Sequence, residues 1–296
     1  MTYSNFIILL ARQRSGTNAV RSVLDSHPDI FCLNEVFNLA DKDSKVDLLR
    51  ETNYFNFLAK YAHGGTDRLL PDKHETLFLD FLEYLRCFSS KRYMLVDVKY
   101  NMTHFLTEPK KSSYAPYLLF LIKKHGLIVI NLKRKNYLRY MISLLKAIKS
   151  GVWTVNTSER AYSDHKIRID IDHLLKQMDR CDVEGRVIEN YVSLYPRLLS
   201  HDYEDVFPTA SGAVSGDFLQ CVSERLGIGN VFEQEGVYKK QSCLPLAETI
   251  ENYEEVAGAL RGTRFEYCLQ DEKMYLNPSA AAQSAAANYA TATENG

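Results

Sequence analysis

The chain has 296 residues, enough to bury a substantial core in one large domain or two small ones. Apolar residues at 46% and charged residues at 25% argue against disordered and membrane classes. Lys and Arg total 36 against 37 Asp and Glu, a net charge of -1, so no global field holds a nucleic acid and an anionic ligand must be met by a local basic pocket.

The short apolar run Phe6 to Ala11 predicts a buried strand, and it ends in a polar segment containing Gly16. From Asn18, Ala19, Val20, Val23 and Leu24 recur at helical spacing until His27-Pro28, where proline stops the helix. Ile30 to Leu33 predicts a second strand, with Asn34 and Glu35 at its carboxyl end, where open α/β sheets place functional groups. Asp41 to Arg92 is helical in pattern and divided by a loop at Gly64-Gly65. Tyr93 to Val98 and the near-uniform run Leu127 to Leu132 predict further strands, the latter buried on both faces as in a parallel sheet. A helix follows from Tyr137 to Ile148, with Gly151 as its stop.

Beyond Trp153 the pattern predicts an amphipathic helix over Ile171 to Asn190, a small strand over His201 to Val206 and a helix over Asp217 to Leu226. Residues 271–296 are rich in Ala, Ser and Thr without a large apolar face, and read as a flexible tail after one domain spanning 1–270. Alternating strands and helices, with no internal repeat, give an α/β class with a central parallel sheet flanked by helices. Six scattered cysteines form no C-x-x-C pair and no His cluster accompanies them, so free thiols, no metal site and a reducing compartment are expected. Phe6 to Leu10 lacks the basic flank and length of a signal peptide, and no apolar run approaches 18 residues. The expected address is cytoplasmic, with no transmembrane segment.

Arg12-Gln13-Arg14-Ser15-Gly16-Thr17-Asn18, set between a buried strand and a helix, has the makings of an oxyanion site. Glycine allows close backbone approach, successive N–H groups converge, and the helix presents its positive end. A Walker A loop would carry lysine directly after Gly16, where this chain has Thr17. The cation instead stands before the serine, as Arg14, with Arg12 nearby. In the second strand-helix unit Arg134-Lys135-Asn136 follows the strand, and Ser143 lies eight residues after Lys135, so that basic loop and hydroxyl can converge on one phosphate.

These residues resemble the sulfotransferase superfamily, whose 5′-phosphosulfate loop commonly reads Lys or Arg, Ser, Gly, Thr. The resemblance implies a P-loop-like fold and the donor 3′-phosphoadenosine 5′-phosphosulfate (PAPS), whose product is 3′-phosphoadenosine 5′-phosphate (PAP). It implies that Arg14 stabilises charge on the migrating sulfuryl group, while Ser15, Gly16, Thr17 and Asn18 hold the 5′ phosphate. The 3′-phosphate motif is similar to Arg-Asn-Pro followed by serine, with Lys135 in the arginine register, Arg134 one residue early and Tyr137 in place of proline. Lys239-Lys240-Gln241, the segment Leu246 to Glu255 and the run Leu260 to Phe265 resemble the end of bacterial trehalose-type and rhizobial nodulation-factor-type sulfotransferases, as does Gly151-Val152-Trp153.

Glu35-Val36-Phe37 is similar to the Glu-x-Phe of the trehalose-type branch, which implies that Glu35 is the base for the acceptor hydroxyl. Lys99 matches a strand-end lysine frequent in the superfamily, and a plain ion pair with Asp97 or Glu35 is its alternative role. The branch implies a glycan or glycolipid acceptor, with in-line displacement and no metal. A small-molecule kinase and a noncatalytic anion-binding protein are the competing readings.

Overall fold

A computed structural model of the chain describes residues 3–62, 74–103, 116–153, 166–209, 211–233 and 244–270. Gly64-Gly65, Lys239-Lys240-Gln241 and the Ala-rich segment 271–296 lie outside the described residues.

Strands β1 (Phe6–Ala11), β2 (Ile30–Glu35), β3 (Tyr93–Lys99), β4 (Ile128–Lys133) and β5 (Leu198–Asp202) form one all-parallel sheet in the order β2-β3-β1-β4-β5. Helices α1 (Thr17–Asp25), α2 (Asp47–Glu51), α3 (Tyr54–Ala62), α4 (His74–Arg86), α5 (Tyr117–Lys124) and α6 (Tyr137–Ser150) lie within the first 150 residues of the chain. They are followed by α7 (Ile171–Val192), α8 (Tyr203–Val206), α9 (Gly216–Leu226), α10 (Leu246–Thr249) and α11 (Tyr253–Leu260). The expected α/β architecture with a helix-flanked parallel sheet is thus the observed one.

Alternation along the strands assigns each face its cover. Ile8, Leu10, Val96, Val98 and Val129 pack with Phe57 of α3, Phe78 and Phe81 of α4, Leu118 and Ile122 of α5, and Ile188 and Val192 of α7. On the opposite face Ile7, Leu9, Leu95, Ile128 and Ile130 meet Val20, Val23 and Leu24 of α1, and Phe218, Leu219 and Val222 of α9. Full burial of each such side chain contributes roughly 1.5–3 kcal/mol. A third cluster joins α6 and α7 to the C-terminal segments through Met141, Leu174, Met178, Leu246, Ile250 and Leu260. Asn252 stands at the start of α11 and grips Ile169 in both directions, accepting from its N–H at 3.0 Å and donating to its carbonyl at 2.9 Å.

One strand boundary differs from expectation. Residues 198–202 form β5, whereas Tyr203–Val206 turns into α8. Leu198 and Leu199 supply the apolar pair opposite Val129 and Ile130, while Tyr203 and Val206 are buried three residues apart, at helical rather than strand spacing. Glu204 and Asp205 in the first turn of α8 suit its positive end.

The topology fixes where a ligand can sit. From β1 the chain crosses toward β2, and from β3 it crosses past β1 to β4, so the connections diverge outside the carboxyl ends of the central strands. That crevice is the topological switch point of an open parallel sheet. No helix among the described residues is long and apolar enough to cross a membrane.

Candidate active site

The segment after β1 occupies this crevice. Gly16 caps α1 in the left-handed region with φ 73°, and its carbonyl accepts from the N–H groups of Ala19 and Val20 at 3.0 and 3.1 Å. Arg14 also has positive φ, at 61°, a strained conformation for a residue with a Cβ. An aromatic wall formed by Tyr203 of α8 and Phe207 just after it comes close behind. A Cβ added at Gly16 would lie 2.5 Å from Phe207 Cε2 and 3.1 Å from Tyr203 Cε2. Gly16→Ala is therefore expected to destabilise the fold by about 1–3 kcal/mol, through the left-handed φ and the clash together. Urea unfolding checks this, and a stability equal to wild type would show that the loop can relax away from the wall.

Thr17, Lys99, Asp97 and Glu35 form the centre of the site. On β3, Leu95, Asp97 and Lys99 alternate onto the face covered by α1, so an apolar strand face becomes polar at its carboxyl end. Lys99 Nζ is buried and donates to Thr17 Oγ1 at 2.6 Å and to both oxygens of Asp97 at 2.7 and 2.8 Å. It also stands 3.3 Å from Glu35 Oε1. The ion pair read as one alternative for Lys99 is present, with Asp97 and Glu35, and the same ammonium also touches Thr17 of the loop after β1.

Glu35 reaches this position through an irregularity. Leu33 pairs with Val96 and Glu35 with Asp97, leaving Asn34 as an extra residue in β2. Such a bulge re-aims the side chain that follows it. Beyond it, buried Val36 and Phe37 anchor the chain, and the Asn38 N–H closes a turn onto the Glu35 carbonyl at 2.8 Å. Burial raises the Glu35 carboxyl above the usual carboxylate value; the Lys99 ammonium opposes that shift and Asp97 reinforces it.

Arg21 completes the cluster. It lies four residues after Thr17, on the same face of α1. Its Nε is 3.4 Å from Asp97 Oδ2, one terminal nitrogen donates to Asn18 Oδ1 at 2.6 Å, and the other donates to Asn34 Oδ1. Asn18, next to Thr17, and the bulge residue Asn34 are thus joined through one guanidinium. Arg21 was not singled out by the motifs; its signal is a charge at i+4 from Thr17 in a helix otherwise striped with apolar residues.

The second basic loop is arranged differently from its register. Arg134 donates to the Arg14 carbonyl at 2.6 Å and lies over the Tyr203 ring at 4.6 Å. Lys135 is mostly exposed and forms an ion pair with Asp202. Asn136 caps α6, accepting from the Arg139 N–H at 2.9 Å. Ser143 meets the first loop directly, its Oγ 3.1 Å from Arg14 Nε, while Arg14 Nη1 donates to the Trp153 carbonyl. Burial and the neighbouring Arg134 push the Arg14 guanidinium down to about 10.

Arg12 is turned toward α7. It pairs with Glu184, donates to the Cys181 carbonyl at 2.6 Å, and lies among the rings of Tyr100, Tyr137 and Tyr140. His27 is likewise built into the structure, receiving the Asp29 N–H at Nδ1 and placing Nε2 3.0 Å from the Gly229 carbonyl. Two loop groups have no such partner. Ser15 Oγ and Arg134 Nε are buried without a hydrogen-bond partner among the described residues. Orphaned donors beside the neighbouring Arg14 and Arg134 guanidinium groups suit an oxyanion, which would satisfy the former and offset the repulsion of the latter.

Fold and site together define an α/β protein with a glycine loop at the switch point of its parallel sheet and a buried lysine joining that loop to a carboxylate. No family model matches the chain. It is 24% identical to nodulation protein H of Rhizobium meliloti (strain 1021) over 251 residues, which cover 84% of this chain and 88% of that protein. That likeness bears out the sulfotransferase-superfamily resemblance carried by the motifs. A solved structure of a sulfotransferase from Alicyclobacillus acidocaldarius shares 12% identity at a TM-score of 0.44, covering 93% of this chain and 99% of that one.

Proposed function

We propose that this protein is a sulfotransferase that uses PAPS to sulfate a hydroxyl group. The observation that carries the reading is the placement of one ammonium, Lys99, between Thr17 of the anion loop and the Glu35 carboxylate. A positive charge shared by a phosphate-binding loop and a proton acceptor is what transfer from an anionic donor to an alcohol requires.

Ser15, Gly16, Thr17 and Asn18 would hold the 5′ phosphate, with Ser15 Oγ gaining the partner it lacks. Arg134, with Ser143, would take the 3′ phosphate; the Asp202 pairing of Lys135 favours Arg134 over the residue in the family register. When bound, the donor supplies the sulfuryl group, whose sulfur gains a bond to the acceptor oxygen as its bond to the bridging phosphate oxygen breaks and PAP leaves. Glu35 Oε1 accepts the hydroxyl proton. Arg14 and Lys99 stabilise the charge that accumulates on the bridging oxygen. Nothing in these roles calls for covalent attachment to the protein; alignment and charge stabilisation do the chemistry.

The acceptor we assign is a glycan or glycolipid hydroxyl, supported by the nodulation-type likeness and by the exposed Trp153 ring at the edge of the site. Aromatic faces stack well on sugars, though the residue also serves the site through its carbonyl. Transfer of labelled sulfate from PAPS to lysate-derived glycans, followed by mass spectrometry, tests the assignment. Thermal melting with PAP or ATP tests the donor: PAP is expected to raise the melting temperature, and stabilisation by ATP alone would overturn the assignment in favour of a kinase.

A further inference from the structure

We propose that Asp97 is a positioning residue that holds the Lys99 ammonium midway between the anion loop and Glu35, keeping Glu35 basic enough to accept a proton. The proposal rests on the reading of Glu35 as the proton acceptor. Asp97 is fully buried beside Glu35 in the sheet, and its shortest side-chain contact is with the Lys99 ammonium, through which its positioning role runs.

The distances carry the inference. Lys99 Nζ contacts both Asp97 oxygens at 2.7 and 2.8 Å and Thr17 Oγ1 at 2.6 Å, whereas Glu35 Oε1 is farther, at 3.3 Å. An ammonium has three donors, and here they are directed chiefly at Asp97 and Thr17. Without Asp97, the nearest anion left to Lys99 is Glu35. A tight ion pair between them would draw the ammonium from the loop and lower the basicity of the carboxylate. Asp97 thus competes with Glu35 for the cation.

Arg21 fixes Asp97 from the α1 side, at 3.4 Å, while binding the loop residue Asn18 and the bulge residue Asn34. Among the described residues, the charged groups acting on Glu35 are Lys99 and Asp97 from β3 and Arg21 from α1. Asp97 raises its proton affinity, and Lys99 and Arg21 lower it. Two substitutions should consequently move Glu35 in opposite directions, a pattern that loss of packing alone would not produce.

The test follows Glu35 ionisation in the protein without donor, by carbon NMR of labelled glutamate carboxyl groups assigned with Glu35→Gln. Asp97→Asn is expected to shift the Glu35 titration to lower pH by about one unit, and Arg21→Met to shift it upward. With PAPS, Asp97→Asn should lower kcat by about 100-fold with PAP affinity retained, as expected for a displaced charge in an aligned site. An unmoved titration in both variants, or kcat near wild type in a folded Asp97→Asn, would overturn the proposal. Should Asp97→Asn fail to fold, the sign of the Arg21→Met shift decides. A wild-type protein that transfers nothing from PAPS would instead sink the sulfotransferase reading, since the titration is measured without donor.

Discussion

Glu35→Gln is expected to lower the rate of sulfuryl transfer by about 10²–10⁴-fold, the range for loss of a positioned general base, while PAP binding is retained. The amide keeps the shape of the side chain and loses the lone function proposed for it, acceptance of a proton. The pH dependence sharpens this expectation. Burial holds the folded Glu35 carboxyl above the usual carboxylate value, so its protonated form persists to higher pH than in an unfolded chain. Wild-type rate should fall as pH drops through that raised value, because a protonated carboxyl cannot act as the base. The stability effect has the opposite sense. The folded state binds this proton more tightly, so the Glu35 contribution is present below the ordinary carboxylate value and is lost as pH rises through the raised one. Glu35→Gln should remove both the acid limb of the rate profile and that decline in stability. A mutant retaining wild-type turnover and the same acid limb would remove Glu35 from the chemistry.

Elements whose burial is continuous were legible in the sequence: β1, with every residue buried, and β4, written as a run of Ile, Val and Leu, needed no tertiary information. The strand–loop–helix unit around Gly16 was legible as well, since an apolar run, a glycine and an amphipathic stripe follow one another without interruption. What escaped depends on registers between segments distant in the chain. The Asn34 bulge is invisible to strand periodicity, yet it sets Glu35 opposite Asp97. Arg21 gains meaning only when α1 covers the polar end of β3. The same holds for Arg134 and Lys135: spacing to Ser143 favours the lysine, but the position of β5 gives that lysine Asp202 as a partner and leaves the arginine against the loop. For β5 itself, local apolar content was outweighed by pairing with β4, which selects Leu198 and Leu199 and releases Tyr203 to a helix.

Arg14→Met is expected to lower kcat by about 10²–10³-fold, the effect of removing one preorganised donor to a developing oxyanion, roughly 3–4 kcal/mol. The backbone there already carries a left-handed φ, so a flexible side chain of similar length perturbs the loop less than a β-branched one. Arg14 links Ser143 on α6 with the carbonyl of Trp153, and its own carbonyl receives Arg134, so it is the point where both basic loops meet. Burial lowers the proton affinity of Arg14 first, and repulsion from the neighbouring Arg134 guanidinium lowers it further. An anion between them relieves that repulsion, which makes the pair more favourable with ligand than without it. Arg14→Met should therefore lose part of the PAP-induced rise in melting temperature along with turnover, whereas Glu35→Gln loses turnover alone. Arg14→Lys should recover little, because an ammonium lacks the planar fork that reaches Ser143 and the Trp153 carbonyl together. Equal PAP stabilisation of Arg14→Met and wild type would place Arg14 outside the donor site, whatever its effect on rate.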